Sequence, residues 1–311
     1  MTLAMALPPA AAVLLGASAP WLGRRLPPAT AVRLLTAAML VAALSTGFVL
    51  AAAGALVLAQ IPLVATLGHW STHVVGAGDP VPLALGGLAA LTVCGLLLAA
   101  LRRAAVTGRD LVRAAVTCRR LGPSVAGLIV VDDDEPDAYA LPGIGGRVVV
   151  STAMLRALPA DERRVLLAHE AAHLTGRHHL WVQAAELAAA ANPLLRPGAR
   201  TVRAAVERWA DEVAAAEVGD RTLAARALAR AGLARATARP EVPKSRMALA
   251  GADSGVADRA RALLAGPPPR RRVLAGAVAG LMLAMVISVL VTSEETEARF
   301  EAAQTAYVPL R

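Results

Sequence analysis

Long apolar stretches without charge alternate with polar segments of helical pattern along this chain of 311 residues. No charged residue occurs in four blocks, which are residues 1–23, 34–78, 80–101 and 273–293. Each block supplies the roughly 20 apolar residues that a helix needs to cross a bilayer. The pattern therefore predicts four transmembrane helices, at about 3–22, 34–58, 81–101 and 273–292.

The segment between the third and fourth apolar blocks has the pattern of a small α+β domain. Val125 to Val131 is apolar and rich in β-branched residues, and Arg147 to Ser151 follows a glycine turn, so both are predicted strands. Ser151 or Thr152 suits the cap of a short helix, and Pro159 suits the opening of a longer one. Helices are predicted at about 103–121, 159–176, 180–191, 197–218, 221–236 and 254–265. The fold class expected is a mainly α membrane protein with four transmembrane helices and an α+β domain that carries a small sheet.

Composition and charge support this membrane organisation and predict on which side of the membrane the domain lies. The chain is 56% hydrophobic with a mean hydropathy of +0.54, which is too apolar for a typical soluble protein. Residues 102–272 hold 27 Lys+Arg against 18 Asp+Glu, so the positive-inside rule predicts that this domain faces the cytoplasm. The organisation expected in the cell membrane is a three-span region over 1–101, a cytoplasmic domain over 102–272, a fourth span over 273–292 and an extracytoplasmic tail over 293–311.

The first apolar block has a second interpretation. Ala17-Ser18-Ala19 after an apolar stretch resembles a signal-peptidase site. However, Arg24 and Arg25 follow the stretch and no basic residue precedes it, which favours a retained helix with its N-terminus outside.

The positive charge of the domain also raises the question of nucleic acid. Its arginines are scattered, aromatic residues make up 3% of the chain, and no base-stacking motif is present. No nucleic-acid partner is therefore expected.

Four of the six histidines lie within eleven residues, in the stretch LLAHEAAHLTGRHH that ends at His179. His169-Glu170-Ala171-Ala172-His173 is the pattern HExxH on a predicted helix, where residues four apart share one face and both imidazoles can reach one ion. Glu170 beside them is placed to take a proton from a water, so the pattern predicts one catalytic Zn²⁺. The alternative is two histidines on an ordinary polar helix face.

A third zinc ligand has to come from elsewhere in the chain. The glutamates on the following helices are Glu186, Glu207, Glu212 and Glu217. In the segment ERWAD, Glu207 and Asp211 are four apart and share a helical face, so Glu207 can ligate the metal while Asp211 orients a ligand imidazole. This spacing favours Glu207 over Glu212.

The series AYALPG, RVVVST, LLAHEAAHLTGRHH, NPLL and ERWAD resembles the membrane-bound gluzincin zinc endopeptidases over roughly residues 125–265. Those comprise the CAAX prenyl protease and HtpX group and the BlaR-type sensor peptidases, and the position of the domain between a third and a fourth span is most similar to the BlaR type. The resemblance implies that Glu207 is the third zinc ligand and that Asp211 and His178 support the site. It also implies that the strand before the zinc helix lines the substrate cleft, which here is Arg147, Val148, Val149, Val150 and Ser151. A free edge on that strand would pair with an extended peptide.

Three departures limit the resemblance. BlaR-type sensors carry a penicillin-binding domain after the last span, whereas about 19 residues follow it here without an SxxK motif, so direct β-lactam sensing is not expected. CAAX proteases have more spans around an enclosed chamber. The position of an Asn-Ala pair in the prenyl-protease type reads Asp137-Ala138 in this chain.

The function expected is a membrane-anchored zinc endopeptidase that cleaves a protein or peptide at the cytoplasmic membrane face, in contact with membrane lipid. Glu170 is the expected general base, and Tyr139, His178 or an arginine is left to stabilise the oxyanion. Candidate substrates are a transcriptional repressor, in regulatory proteolysis, or misfolded membrane proteins, in quality control. The alternative is a non-catalytic membrane signalling or scaffold protein with a structural zinc site. A transporter is disfavoured because no charged residue interrupts the spans.

Overall fold

The computed structural model describes residues 3–77, 83–120, 124–143, 145–238, 246–267 and 269–307. Within these residues the chain is mainly helical with one small sheet. The helices, in chain order, are α1 (Leu3–Arg25), α2 (Pro28–Leu58), α3 (Pro62–Gly68), α4 (Thr72–Val75), α5 (Leu83–Arg120), α6 (Thr152–Ala157), α7 (Ala160–Thr175), α8 (His178–Ala191), α9 (Arg196–Val218), α10 (Arg221–Ala238), α11 (Arg246–Leu264) and α12 (Arg272–Thr305).

Four of these helices, α1, α2, α5 and α12, are long and apolar enough to cross a membrane. They coincide with the four predicted spans, which are therefore confirmed as helices. The third continues without a break from its apolar part into the basic segment that ends at Arg120, as expected. The fourth runs past the apolar block to Thr305, so the described part of the predicted tail is mostly helical.

The helices α8 and α9 form a hairpin that packs against α1 and α2. At its tip Leu195 is fully buried in a core that also contains Leu15, Leu35 and Met39 of the two apolar helices. Gly16 makes the close approach of the tip feasible, because a Cβ at that position would lie 2.1 Å from the carbonyl oxygen of Leu194. The first two candidate spans therefore hold the hairpin that carries ERWAD.

The sheet has three strands, β1 (Leu128–Val131), β2 (Ala138–Leu141) and β3 (Arg147–Ser151), in the order β1-β3-β2. The two predicted strands are confirmed as β1 and β3, which pair in parallel. The strand β2 was not predicted, since four residues between an acidic turn and Pro142 give too short a pattern to recognise. It pairs antiparallel with β3.

This topology corrects one expectation. The strand Arg147–Ser151 was expected to offer a free edge to a peptide, but it is the central strand and is hydrogen-bonded on both sides. The free edge next to the HExxH helix belongs to β2, which contacts α7. In the sheet β3 lies between β1 and β2, although β2 precedes β3 in the chain. No local sequence pattern reveals this strand order.

The helix α7 begins where the sequence predicts. Ser151 accepts a hydrogen bond of 3.1 Å from the N–H of Met154 and so caps α6. Pro159 precedes α7, and Asp161 and Glu162 in its first turn suit the positive end of the helix. The helix ends at Thr175, after both histidines of HExxH, with Gly176 as its C-cap, and packs against β2, β3, α9 and α10.

Candidate active site

Two helices bring the predicted metal ligands together. His169 and His173 lie one turn apart on α7, and their Nε2 atoms face each other at 3.2 Å. Glu207 on α9 closes the group, with its two carboxylate oxygens each 3.7 Å from one of these nitrogens. One ligand atom from each of the three residues lies within 4.8 Å of the others. They are half-buried, so the group borders a cleft rather than open solvent.

Asp211 orients the first of these histidines. Its Oδ1 lies 3.1 Å from Nδ1 of His169, so Nδ1–H donates to the carboxylate and Nε2 faces Glu207. A carboxylate behind a histidine in this way fixes the ring tautomer and raises the basicity of the ligand nitrogen. The four-residue spacing of ERWAD thus places one acid among the ligand atoms and the other behind a ligand.

Arg259 on α11 joins these two acids, and the sequence offered no sign of this role. Its Nε and one terminal nitrogen each donate a hydrogen bond of 2.7 Å to Asp211, and its other terminal nitrogen lies 3.1 Å from Glu207. Two acids four apart on a helix would repel each other alone. The guanidinium removes this repulsion, and it comes from a helix 48 residues further along the chain.

His178 supports the second histidine from behind. It is buried, its Nδ1 lies 3.1 Å from Nδ1 of His173, and its ring packs on Trp209 with centroids 4.6 Å apart. The tight turn between α7 and α8 makes this possible, with Arg177 in the left-handed conformation at a φ of 48°. Gly176 is required there because a Cβ would lie 2.4 Å from Nε2 of His178.

Glu170 lies on the other side of the group, in a cleft of about 270 Å³ between β2, α7, α10 and α11. Its side chain is buried, and burial raises its pKa to about 7 against the lowering effects of His169, of Arg235 and of the Ala140 backbone N–H. A carboxyl group with a pKa near neutral can both accept and return a proton. Tyr139 and Arg235 line the same cleft.

The pKa values of the three candidate metal ligands are shifted in different directions. Burial alone lowers the pKa of His169, but hydrogen bonds with Asp211 and Glu207 outweigh it and raise the pKa to about 9. Burial lowers the pKa of His173 to about 4. Burial raises the pKa of Glu207, but the hydrogen bond with His169 and the charge of Arg259 outweigh it and lower the pKa to about 2. One ligand is thus held as a carboxylate and another as a neutral imidazole, which are the forms that bind metal.

The donor set fits zinc. Catalytic zinc sites use three protein ligands from histidine and carboxylate and keep a fourth position open. Two nitrogens bound to a tetrahedral zinc at about 2.0–2.1 Å stand about 3.3 Å apart, close to the separation seen here. The charges also match, because a dication and Arg259 together balance the carboxylates of Glu207, Asp211 and Glu170.

Other predicted residues lie at varying distances from this centre. Glu212 points away from it and pairs with Arg221 at 2.7 and 2.9 Å, so of the two candidate glutamates Glu207 is the one at the histidines. His179 is partly buried and lines a neighbouring cavity together with Glu170 and His173. The residues of β3 do not line the metal cleft, whereas Ala138 and Tyr139 of β2 do.

Two imidazoles and a carboxylate that converge, with a buried glutamate beside them, are the groups that catalytic zinc sites of hydrolases use. Comparison with known families agrees with this class: the model of peptidase family M48 matches residues 109–190. The match contains the HExxH pattern and covers less than half of the chain, and it supports a metallopeptidase without deciding between the BlaR and HtpX types. Glu207, Asp211 and Arg259 lie outside it. No curated protein and no solved structure matches the chain.

Proposed function

We propose that this chain is a membrane-anchored, zinc-dependent endopeptidase that cleaves protein substrates at the cytoplasmic face of the membrane. The observation that carries the proposal is the approach of Glu207 to both histidines of HExxH, with Glu170 buried beside them. A zinc ion on His169, His173 and Glu207 would act as a Lewis acid toward the scissile carbonyl and would acidify a water.

The side chains around the cleft supply the proton transfers. Glu170 takes a proton from the attacking water and then gives it to the leaving amine, which its raised pKa permits. Tyr139 and Arg235 line the cleft on the same side and are the groups available to stabilise the oxyanion. His178 is less suited to this role because it is buried behind His173.

The outer edge of β2 is the proposed place for the substrate backbone. The N–H of Ser151 donates to the carbonyl of Asp137, so alternation in the antiparallel pair directs the polar groups of Ala138 and Ala140 outward. Arg235 donates a hydrogen bond of 2.7 Å to the carbonyl of Ala138. The N–H of Ala140 is directed to Glu170, and its carbonyl remains to accept a hydrogen bond from an extended peptide; such pairing recognises a strand without regard to its sequence.

The membrane placement supports a substrate that lies near the bilayer. Packing of the α8–α9 hairpin on α1 and α2 holds the site close to the ends of these helices. With the domain in the cytoplasm, we propose a cytoplasmic transcriptional repressor or misfolded membrane proteins as substrates. Comparative proteomics of cells with the wild type or the Glu170→Gln variant would reveal the fragments that disappear with activity.

Substitution Glu170→Gln tests the proposal in purified protein. The variant keeps the three ligands, so it should bind zinc like the wild type while peptide cleavage falls by about 10²-fold or more. Glu212→Gln, which alters a glutamate outside the cleft, should cleave normally. Equal cleavage by the Glu170→Gln variant would refute the assignment, and stoichiometric zinc without cleavage by the wild type would favour the structural-zinc alternative.

The assignment of Glu207 as a metal ligand is tested by a matched pair of substitutions. Glu207→Gln should weaken zinc binding, measured by competition with a chromophoric chelator, because a carboxylate is replaced by a weaker neutral ligand. Glu212→Gln changes the same residue type five positions along the same helix and should leave zinc affinity unchanged. Equal effects of the two substitutions would contradict the assignment of Glu207.

A further inference from the structure

A groove of about 1070 Å³ runs between the end of α1, the first half of α9 and the last half of α11. Most of its wall is apolar or small, with Pro20 and Gly23 on α1, Pro197 and Ala204 on α9, and Ala262 on α11. It adjoins the cleft that holds Glu170, sharing Glu207, Val256 and Arg259 with it, and extends from there to α1.

The groove carries uncompensated positive charge. Arg24, Arg200 and Arg208 line it, and none of them has a carboxylate within 4.0 Å in the part of the chain that the structure describes. Arg208 donates a hydrogen bond of 3.1 Å to the carbonyl of Gly23 at the end of α1.

The other charged groups of the groove are already paired. Arg203 pairs with Glu186, and Arg261 pairs with Asp258. Arg259 is held by Asp211 and Glu207 of the metal site. The two acids of the groove wall, Glu207 and Asp258, are therefore already paired and do not neutralise the other three arginines. A bound anion would neutralise them.

The position of the groove suggests which anion. Its floor is the last turn of the apolar helix α1, where the chain passes from uncharged residues to Arg24 and Arg25. In a membrane-spanning helix this transition marks the headgroup layer. Trp21, partly exposed one turn earlier with the guanidinium of Arg25 over its ring, is the residue type enriched at that depth.

We propose that this groove binds an anionic glycerophospholipid, with its phosphate on Arg24, Arg200 and Arg208 and the start of its acyl chains along Pro20 and Pro197. The inference rests on the membrane placement proposed above and is independent of peptidase activity. A lipid is favoured over an acidic peptide because the floor of the groove is a membrane helix. It is also favoured because the apolar wall accommodates hydrocarbon beside the charges.

Native mass spectrometry of the full chain in neutral detergent measures the lipid directly. Wild-type protein titrated with phosphatidylglycerol should retain one molecule, and phosphatidylcholine should be retained much more weakly. The double substitution Arg24→Gln and Arg200→Gln should weaken phosphatidylglycerol binding about 25-fold, from about a factor of five for each basic residue. Arg102→Gln with Arg272→Gln removes two exposed arginines beside other apolar helices, outside the groove, and should change binding little.

A second variant keeps the charges and fills the space. Ala204 is exposed on the groove wall, so Ala204→Trp should exclude the lipid without removing an arginine, and zinc content checks that the variant is folded. Equal losses in the groove and control double variants would overturn the proposal, as would binding of glycerol phosphate or an acidic peptide without retention of phosphatidylglycerol. Recovery of the chain without detergent would overturn the membrane placement and this site together, while leaving the Glu170 test unaffected.

Discussion

Replacing Arg259 with methionine tests how the two acids of ERWAD are held. The guanidinium makes two hydrogen bonds of 2.7 Å to Asp211 and approaches Glu207 at 3.1 Å. The side chain of Asp211 is only 6% exposed, so without Arg259 a buried carboxylate keeps a single charged partner, His169. Methionine has a similar length and preserves most of the packing, so the change chiefly removes the charge.

The size of the effect follows from this burial. Removing one partner of a buried ion pair costs about 3–5 kcal/mol of folding free energy, because the other charge stays buried. The metal-free protein should therefore lose about 3 kcal/mol or more. Bound zinc supplies positive charge nearby and should reduce this loss, while zinc affinity itself falls about 10–100-fold because Asp211 no longer orients His169 firmly.

Thermal unfolding in detergent, followed by tryptophan fluorescence with zinc or with a chelator, measures the first effect, and chelator competition measures the second. Arg261→Met is the matched control, since Arg261 lies two residues away in an exposed pair with Asp258 that should contribute at most about 1 kcal/mol. Arg259→Lys should recover only part of the loss, because an ammonium cannot reproduce the two parallel hydrogen bonds. Similar stability and zinc affinity in the Arg259 and Arg261 variants would refute this account.

Three further results are expected. Gly176→Ala should lower stability by about 1–3 kcal/mol and weaken zinc binding, since the new methyl group collides with His178. Gly108→Ala, in an open helical position, should have neither effect. Equal unfolding temperatures of the two variants would contradict this. In the metal-free protein Glu170 has a pKa raised from 4.5 to about 7, so its contribution to stability is present below pH 4.5 and lost as the pH rises through 7. Glu170→Gln should accordingly be more stable than the wild type by about 3 kcal/mol above pH 7 and not at pH 4, and a pH-independent difference would exclude the shift. Chelation should lower the unfolding temperature of the wild type by removing a stabilisation of about 4 kcal/mol at zinc a thousandfold above its dissociation constant, an effect that Glu207→Gln should reduce.

Much of the architecture follows from local patterns. The four apolar blocks predicted α1, α2, α5 and α12, because an uncharged run of that length has no other stable form in a bilayer. HExxH on a helix predicted the approach of His169 and His173, because a four-residue spacing on one face needs no further information.

Local sequence patterns favoured one residue as the third metal ligand but could not fix the choice. The spacing in ERWAD favoured Glu207, and the structure places it at the histidines while Glu212 pairs with Arg221. What decides between two glutamates on one helix is the rotation of α9 against α7. That rotation is set by the packing of α9 on α1, α2 and α8, in a core that includes Val206 next to Glu207.

The sequence by itself determined the four long apolar helices, the HExxH helix and the short list of acids that could complete a metal site, because each depends on residues close together in the chain. Only the tertiary structure decided that β3 is central and β2 is the free edge, since strand order depends on pairing between distant segments. It also decided that Arg259 joins Asp211 and Glu207 from another helix. Burial is the physical reason, because an arginine acquires such a role only when the fold removes two carboxylates from water and leaves one cation within reach.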